Sequence, residues 1–479
     1  MPDTFLALDA GTTNIRAMVV DVNGRVLGQS SNPLSIHYPQ PGHVETDTDS
    51  FYEVALKTVS ECLASAEITA TDIASLGITG QRTSLVVWDK TTGVALSPIV
   101  SWQDLRGIAR SQTLLEAGYP LIPLSSACKL ESVLADIPEG VARFNNGDLA
   151  WGNVDTYLAW QFSKGTIYAT DASQACATGY LDLMTSGWNE DLIAFQALNP
   201  ESFPRITDTI GIAGVTNADV LGAAIPVGAI VGDQQCAALA QGCLQPGDSK
   251  ITYGTSGTCN LNTGSTCLMA AGAYPLVLYR NGNETVFCLE TMIITAGAML
   301  DWLVYGLHIG ESSEELLGLA ESVPDSAGVF VLPALQGLGS PHADSSRTAT
   351  LDGLTRGTSR GHVVRAALEG IAYRTRDMLD SLYDQAGYSS SGVLRVDGGM
   401  TRSSVFLQTL ADVTGLTIEA MSPTDATTYG AALLAGVSAE HWRLDDLSGL
   451  KNTSMIVESC WSADERDTRY EAWCQRFQL

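Results

Sequence analysis

The chain has 479 residues, 45% hydrophobic and 16% charged, with 26 Lys and Arg against 53 Asp and Glu, for a formal net charge of −27. That length allows two to four domains, each with its own core, and that composition excludes a disordered or fibrous chain. The acidic balance, with six Lys beside twenty Arg, argues against nucleic-acid partners, which need basic patches, and against attraction to an anionic membrane.

No charged-then-apolar leader and no apolar run of bilayer length is visible, so a cytoplasmic protein is expected. The ten cysteines include no Cys-x-x-Cys pair and no Cys/His cluster with zinc spacing, and reduced, mostly buried thiols are expected. The six scattered His give no Ser-His-Asp arrangement.

In chain order, Phe5-Leu6-Ala7-Leu8 reads as a strand ending in Asp9-Ala10-Gly11-Thr12-Thr13-Asn14, and a second strand follows over Ile15–Asp21. Asn23-Gly24 is then a hairpin-turn signal. An Asp at a strand end, followed by Gly and two hydroxyl residues, offers N–H groups and hydroxyls to a phosphate and a carboxylate to a metal. The same residues also suit an ordinary hairpin turn, and both readings stand at this point.

Ser50 to Leu63 has helical apolar spacing, and Ile73–Ile78 and Ser84–Trp88 read as strands. The apolar run Ile225–Val231 leads into Asp233 and a helix over Gln234–Gln241. Lys250-Ile251-Thr252-Tyr253-Gly254-Thr255-Ser256-Gly257-Thr258 then repeats the opening theme, with Cys259–Gly264 as the returning strand. Two strand–phosphate-loop–strand units, one opening each half, point to an internal duplication. His362 to Ala386 is the clearest helix, stopped by Gly387. Val393–Asp397 is a strand broken by Gly398-Gly399, and Val405–Val413 is a helix stopped by Gly415. The alternation means an α/β fold, with a boundary near Gln241 to Gly247.

Further segments converge on one family. They are Gly77-Ile78-Thr79-Gly80-Gln81-Arg82, Ser101-Trp102-Gln103-Asp104, Asn153-Val154-Asp155-Thr156, Val231-Gly232-Asp233-Gln234-Gln235, Ala296-Gly297-Ala298, Gly337-Leu338-Gly339-Ser340-Pro341, Val396-Asp397-Gly398-Gly399 and Thr428-Tyr429-Gly430-Ala431-Ala432. In this order, from Phe5 to about Trp442, they resemble the FGGY carbohydrate kinases and most of all their glycerol kinase branch.

The resemblance implies a duplicated ribonuclease H-like fold of the actin, Hsp70 and sugar kinase ATPases. Its two domains, 1–243 and 244–479, would lie around a nucleotide cleft. It implies ATP and Mg²⁺ as cofactors and transfer of the γ-phosphate to a hydroxyl of a small polyol or ketose. Asp9 matches the metal position. Thr12, Thr13, Asn14, Thr255, Gly297, Gly399, Met400 and Ser403 match ATP-binding positions. Asp233 matches the general base that accepts the sugar hydroxyl's proton. Arg82 and Gln234 match hydroxyl ligands, and Trp102 a ring packed on the substrate's carbons. Read from the residues alone, Asp233 also suits a helix N-cap, Arg82 a surface ion pair, Trp102 core packing, Gly399 a turn and Gly297 a close helix contact.

Three pocket positions depart from glycerol kinases. Thr83 stands where those enzymes have Glu, Leu124 where they have Tyr and Thr258 where they have an aromatic ring. Lost hydrogen-bonding partners and smaller side chains favour an acceptor of four to seven carbons over glycerol. Glycerol kinase proper, and a xylulokinase- or ribulokinase-like activity, stay as alternatives. Ser132 also replaces the family's tryptophan after Lys129-Leu130. Leu221 to Val231 carries no Arg or Lys, so the insertion that binds a sugar bisphosphate in some glycerol kinases is expected to be absent. A non-catalytic actin- or Hsp70-like ATP-binding protein would share the loops but would not need Arg82, Trp102 and Asp233 together. The partners expected are a small polyol or sugar and a second copy in a homodimer.

Overall fold

Strand β1 (Thr4–Ala10) is buried over all but its first residue, as an apolar run with sheet on either side should be. In the computed structural model, which describes residues 3–421, 425–451 and 453–479, β1 pairs antiparallel with β2 (Asn14–Asp21), and β2 with β3 (Val26–Pro33). On its other side β1 runs parallel to β4 (Ile73–Gly80). Strands β5 (Ile210–Val215) and β6 (Pro226–Gly232) complete the order β5-β6-β4-β1-β2-β3. The β2–β3 turn places Gly24 at φ 76°, the left-handed region that glycine enters without strain.

The second sheet repeats this wiring. β7 (Ser249–Tyr253) pairs antiparallel with β8 (Gly257–Gly264). The hairpin β9 (Tyr274–Asn281) and β10 (Glu284–Ile293) follows, and β10 lies antiparallel to β8. β11 (Val393–Asp397) runs parallel to β7, then β12 (Thr417–Met421) and β13 (Thr453–Val457) close the order β9-β10-β8-β7-β11-β12-β13. Thus β3-β2-β1-β4-β6 and β10-β8-β7-β11-β12 share both order and strand sense. The duplication expected from the two Gly-Thr loops is present, and so is the ribonuclease H-like fold.

The chain forms two compact units, Met1–Gly242 with Leu276–Val286 and Asp425–Leu450, and Cys243–Pro275 with Phe287–Thr424 and Lys451–Leu479. Residues 425–450 join the first unit because the helix Ala426–Ser438 buries an almost wholly apolar surface against β1, β4 and β6. Gly77 in β4 permits the approach: a Cβ there would meet the Ala431 carbonyl oxygen at 2.1 Å.

The helix expected over 362–386 runs Arg360–Ala386, started by the Ser359 hydroxyl and ended by Gly387 at φ 69°. The helices expected over 50–63, 234–241 and 405–413 run Thr48–Ser65, Asp233–Ala240 and Ser404–Thr414. All ten cysteines are free thiols, seven of them buried.

One buried acid couples this fold to pH. Asp155, in the helix Val154–Phe162, has no exposed surface and accepts from the Thr170 hydroxyl at 2.8 Å. Burial pushes its carboxyl up to about 7, with the negative Asp171 adding to the rise. A raised native pKa means that the folded chain holds the proton more tightly. The stability this brings is full below the unfolded value near pH 4 and is lost as pH rises to about 7. We expect wild type to lose stability relative to Asp155→Asn between about pH 4 and 7, by more than about tenfold in the unfolding constant. Denaturant titrations across that range check it, and parallel pH profiles would refute it.

Candidate active site

The β1–β2 register sets Asp9 opposite Arg16 and leaves Gly11, Thr12 and Thr13 as the connecting loop. The Asp9 side chain is buried, and one of its oxygens, Oδ1, has no hydrogen-bond partner. The Arg16 guanidinium lies 3.5 Å from Asp9 and 2.6 Å from Asp425, the residue that caps the helix Ala426–Ser438. Burial holds the Asp9 carboxyl well above the usual carboxylate range. Asp425 and, more weakly, Asp233 reinforce this, and Arg16 opposes it. Negative charge therefore exceeds positive charge around a dry carboxylate.

Asp233 is the first residue of its helix, and Gly232 is the cap. The N-cap reading of Asp233 is thus corrected by one position. Its Oδ1 accepts from the Gln234 N–H at 2.7 Å and lies 3.2 Å from Arg82 Nε. An acidic residue in a first helical turn faces the positive end of the helix dipole. The helix start is itself held: Gly232 N–H donates to the Ser173 hydroxyl at 2.9 Å, and Ser173 donates to Asp171 at 2.9 Å. A Cβ at 232 would lie 2.6 Å from Gln235 Oε1 and 2.9 Å from Arg82 Cδ, so a larger residue there would displace both side chains.

Arg82 follows the end of β4 by two residues, and Thr83 beside it takes φ 60°. The Trp102 ring is 37% exposed, against the core-packing reading. Its indole N–H donates to the Thr12 hydroxyl at 3.0 Å, and its backbone N–H to Ser84 at 2.9 Å. Ser84 in turn donates to Gln81 at 2.9 Å. The first unit therefore holds three polar groups: Asp9 with Arg16 and Asp425, Arg82 with Asp233 and Gln234, and Trp102 with Thr12 and Ser84. Thr13 is exposed and accepts from the Asn14 amide at 3.0 Å. Leu124 is half-buried in the loop before the short turn Ser126–Cys128.

In the second unit, the pairing of Tyr253 with Gly257 leaves Gly254, Thr255 and Ser256 as the matching loop. The start of the helix Gly297–Tyr305 docks on it. Gly297 N–H donates to the Gly254 carbonyl at 2.9 Å, and Ala296 and Ala298 N–H groups donate to the Thr255 carbonyl at 3.1 and 3.0 Å. Thr258 lies in β8, opposite Thr252 and Met292. Gly399 is exposed, with open space where a Cβ would stand. Its neighbour Gly398 is the constrained one, at φ 97° with a Cβ position 2.3 Å from the Tyr253 carbonyl oxygen. Met400 is buried in the core of this unit, and Ser403 caps the helix Ser404–Thr414 through the Phe406 N–H.

Residues 4–240 match the N-terminal domain of the FGGY family of carbohydrate kinases, and residues 249–439 match its C-terminal domain. The chain belongs to the FGGY family of carbohydrate kinases. These are ATP-dependent phosphotransferases acting on hydroxyl groups. A glycerol kinase of Aromatoleum aromaticum is 37% identical, covering 98% of this chain and 97% of that protein. One of Bordetella parapertussis is 36% identical over 99% and 96%. Among solved structures, Plasmodium falciparum glycerol kinase with ADP superposes with a TM-score of 0.92 at 27% identity, over 99% of this chain and 97% of that one. A xylulose kinase from Lactobacillus acidophilus gives 0.84 at 18% identity over 99% and 98%, a likeness of fold alone.

Within this FGGY chain, sequence reading missed Arg16 and Asp425. Arg16 was readable from the hairpin register, since it is the residue opposite Asp9. Asp425 carried no signal beyond an Asp before a helix. Among the described residues, the cluster with metal-ligand spacing is His43, Glu45 and Asp104. Arg106 pairs with both carboxylates there, so their oxygens are already partnered and half of their charge is offset. Asp9, with its unpartnered oxygen, fits Mg²⁺ better, because Mg²⁺ takes one or two carboxylates and fills its sphere with water and phosphate.

The docking of helix on second loop makes a prediction. At Gly297 a Cβ would lie 2.5 Å from the Gly254 carbonyl oxygen. Gly297→Ala should cost about 1–3 kcal/mol of overpacking and weaken ADP binding at least about fivefold. Thermal melting and calorimetry read both, and unchanged values would show that the loop yields freely.

Proposed function

We propose that this FGGY kinase transfers the γ-phosphoryl group of ATP to a hydroxyl of a polyol or ketose longer than glycerol, with Asp233 as general base. The observation that carries the reading is the Arg82–Asp233 pair at 3.2 Å, in the same unit as the exposed Trp102 ring. Arg82 and Gln234 would orient acceptor hydroxyls, and Trp102 would pack on the carbon chain. The attacking hydroxyl would give its proton to Asp233 as its oxygen bonds to the γ-phosphorus and the bond from phosphorus to the ADP oxygen breaks. Thr12, Thr13 and Thr255 would bond phosphate oxygens, with Asn14 beside Thr13 in the first loop and Gly297, Gly399, Met400 and Ser403 nearer the nucleoside. Mg²⁺, held at Asp9, would neutralise phosphate charge. In this reading the catalytic base and the acceptor residues other than Thr258 lie in 1–243, and most nucleotide residues in 244–479. We infer a cytoplasmic enzyme; no described helix is long and apolar enough to cross a membrane.

Asp233→Asn should leave ATP and acceptor binding nearly intact and slow turnover at least about a hundredfold. Turnover within about threefold of wild type would remove Asp233 from the role of base.

The acceptor length rests on Thr83, Leu124 and Thr258, which replace one carboxylate and two rings. A pocket stripped of polar partners loses discrimination for the small ligand, on the order of 1–3 kcal/mol per buried group. Glycerol is the second reading, favoured by the whole-length similarity to proteins named glycerol kinase. In an ADP-release assay, kcat/KM for glycerol should fall at least about tenfold below the best longer acceptor among erythritol, xylulose, ribulose and related polyols. A preference for glycerol over all of them would decide for the second reading.

A further inference from the structure

Lys129 is a buried amine near the acceptor residues. It has no exposed surface, and burial pushes its amine down to about 7 although Asp104 pulls the other way. Its Nζ donates to the Thr83 carbonyl at 3.1 Å and to the Ser101 carbonyl at 2.9 Å. Each carbonyl belongs to a residue next to a proposed acceptor ligand, Arg82 in one case and Trp102 in the other. Gly107 packs beside the stem: a Cβ there would lie 2.4 Å from the Pro123 carbonyl oxygen and 3.3 Å from Lys129 Cγ.

A Met or Leu would fill the same space without burying an amine, so packing alone does not call for lysine. What the amine adds is a tie between two loops. One of them is strained: Thr83 is β-branched and sits at φ 60°. A residue of that kind stays in the left-handed region only when its surroundings hold it there.

We propose that Lys129 is a positioning residue for acceptor specificity, cross-linking the backbone of Thr83 and Ser101 so that Arg82 and Trp102 face the same substrate. The proposal rests on the reading of Arg82 and Trp102 as acceptor ligands. Lys129 touches no substrate in it and acts only through the two carbonyls. If the tie works partly by holding Thr83 in its strained turn, glycine at that position should make it less necessary, because glycine adopts the turn freely.

The test is steady-state kinetics of the full-length enzyme with ATP and the best acceptor of the panel. Lys129→Met should raise the acceptor KM at least tenfold and leave the ATP KM within threefold. In a Thr83→Gly background, the same Lys129→Met change should raise the acceptor KM by no more than threefold. A general loss of structure would move both KM values and would ignore the background at residue 83. Arg82→Ala separates the proposal from the reading beneath it. If Arg82→Ala raises the acceptor KM and Lys129→Met does not, the positioning role is overturned and the acceptor site stands. If Arg82→Ala leaves the acceptor KM unchanged, the site and the proposal fall together. Equal Lys129→Met effects in both backgrounds also overturn it. Should Lys129→Met not fold, Lys129→Gln, which keeps two amide N–H donors, carries the comparison: an ATP KM that rises with the acceptor KM overturns the proposal.

Discussion

The first unit is organised around a carboxylate held at the dry end of a buried strand. Asp9 lies near the end of β1, where sheet neighbours exclude water on both sides. Two more carboxylates, Asp233 and Asp425, bear on it, and Arg16 bonds more closely to Asp425 than to Asp9. Stability alone would not select this arrangement, because a buried acid among like charges costs free energy. It is suited to a cation, which would supply the missing positive charge and could bring a polyphosphate in with it. The helix carrying Asp233, the hairpin carrying Arg16 and the cap carrying Asp425 are all placed by their packing on β1 and its neighbours.

Local elements were readable because their stop signals are chemical. The helix Arg360–Ala386 ends at Gly387 since a left-handed residue is needed there, and β11 stops at Asp397 because Gly398 must bend away under the Tyr253 carbonyl. The destination of Ala426–Ser438 was not readable. Its Tyr, Gly, Ala and Leu residues are apolar on nearly every face, which says that it is covered without saying by what. Its complement is Gly77, hundreds of residues earlier and unremarkable in its own strand.

The site was legible to the same extent. Arg82, Trp102 and Asp233 each follow a short apolar run, and a polar residue at a strand end points where the sheet stops. The Arg16–Asp425 pair spans 409 positions, and no spacing rule reaches that far. Lys129 was noticed only as a landmark beside Leu130, because its chemistry lies in two backbone carbonyls that no side-chain pattern reveals. Gly398 and Gly399 were adjacent, and only the φ angle tells which one the fold requires.

The return of residues 425–450 to the first unit has a consequence for synthesis. The ribosome releases β1 and β4 early, yet the helix that covers them is made only after all of Cys243–Pro275 and Phe287–Thr424. Until then the apolar surface of the first sheet stays uncovered, although all of its strands have been translated. The unit that begins first therefore finishes late. Between translation of β6 and of the helix Ala426–Ser438 the nascent chain would present a sheet surface of the kind that aggregation exploits.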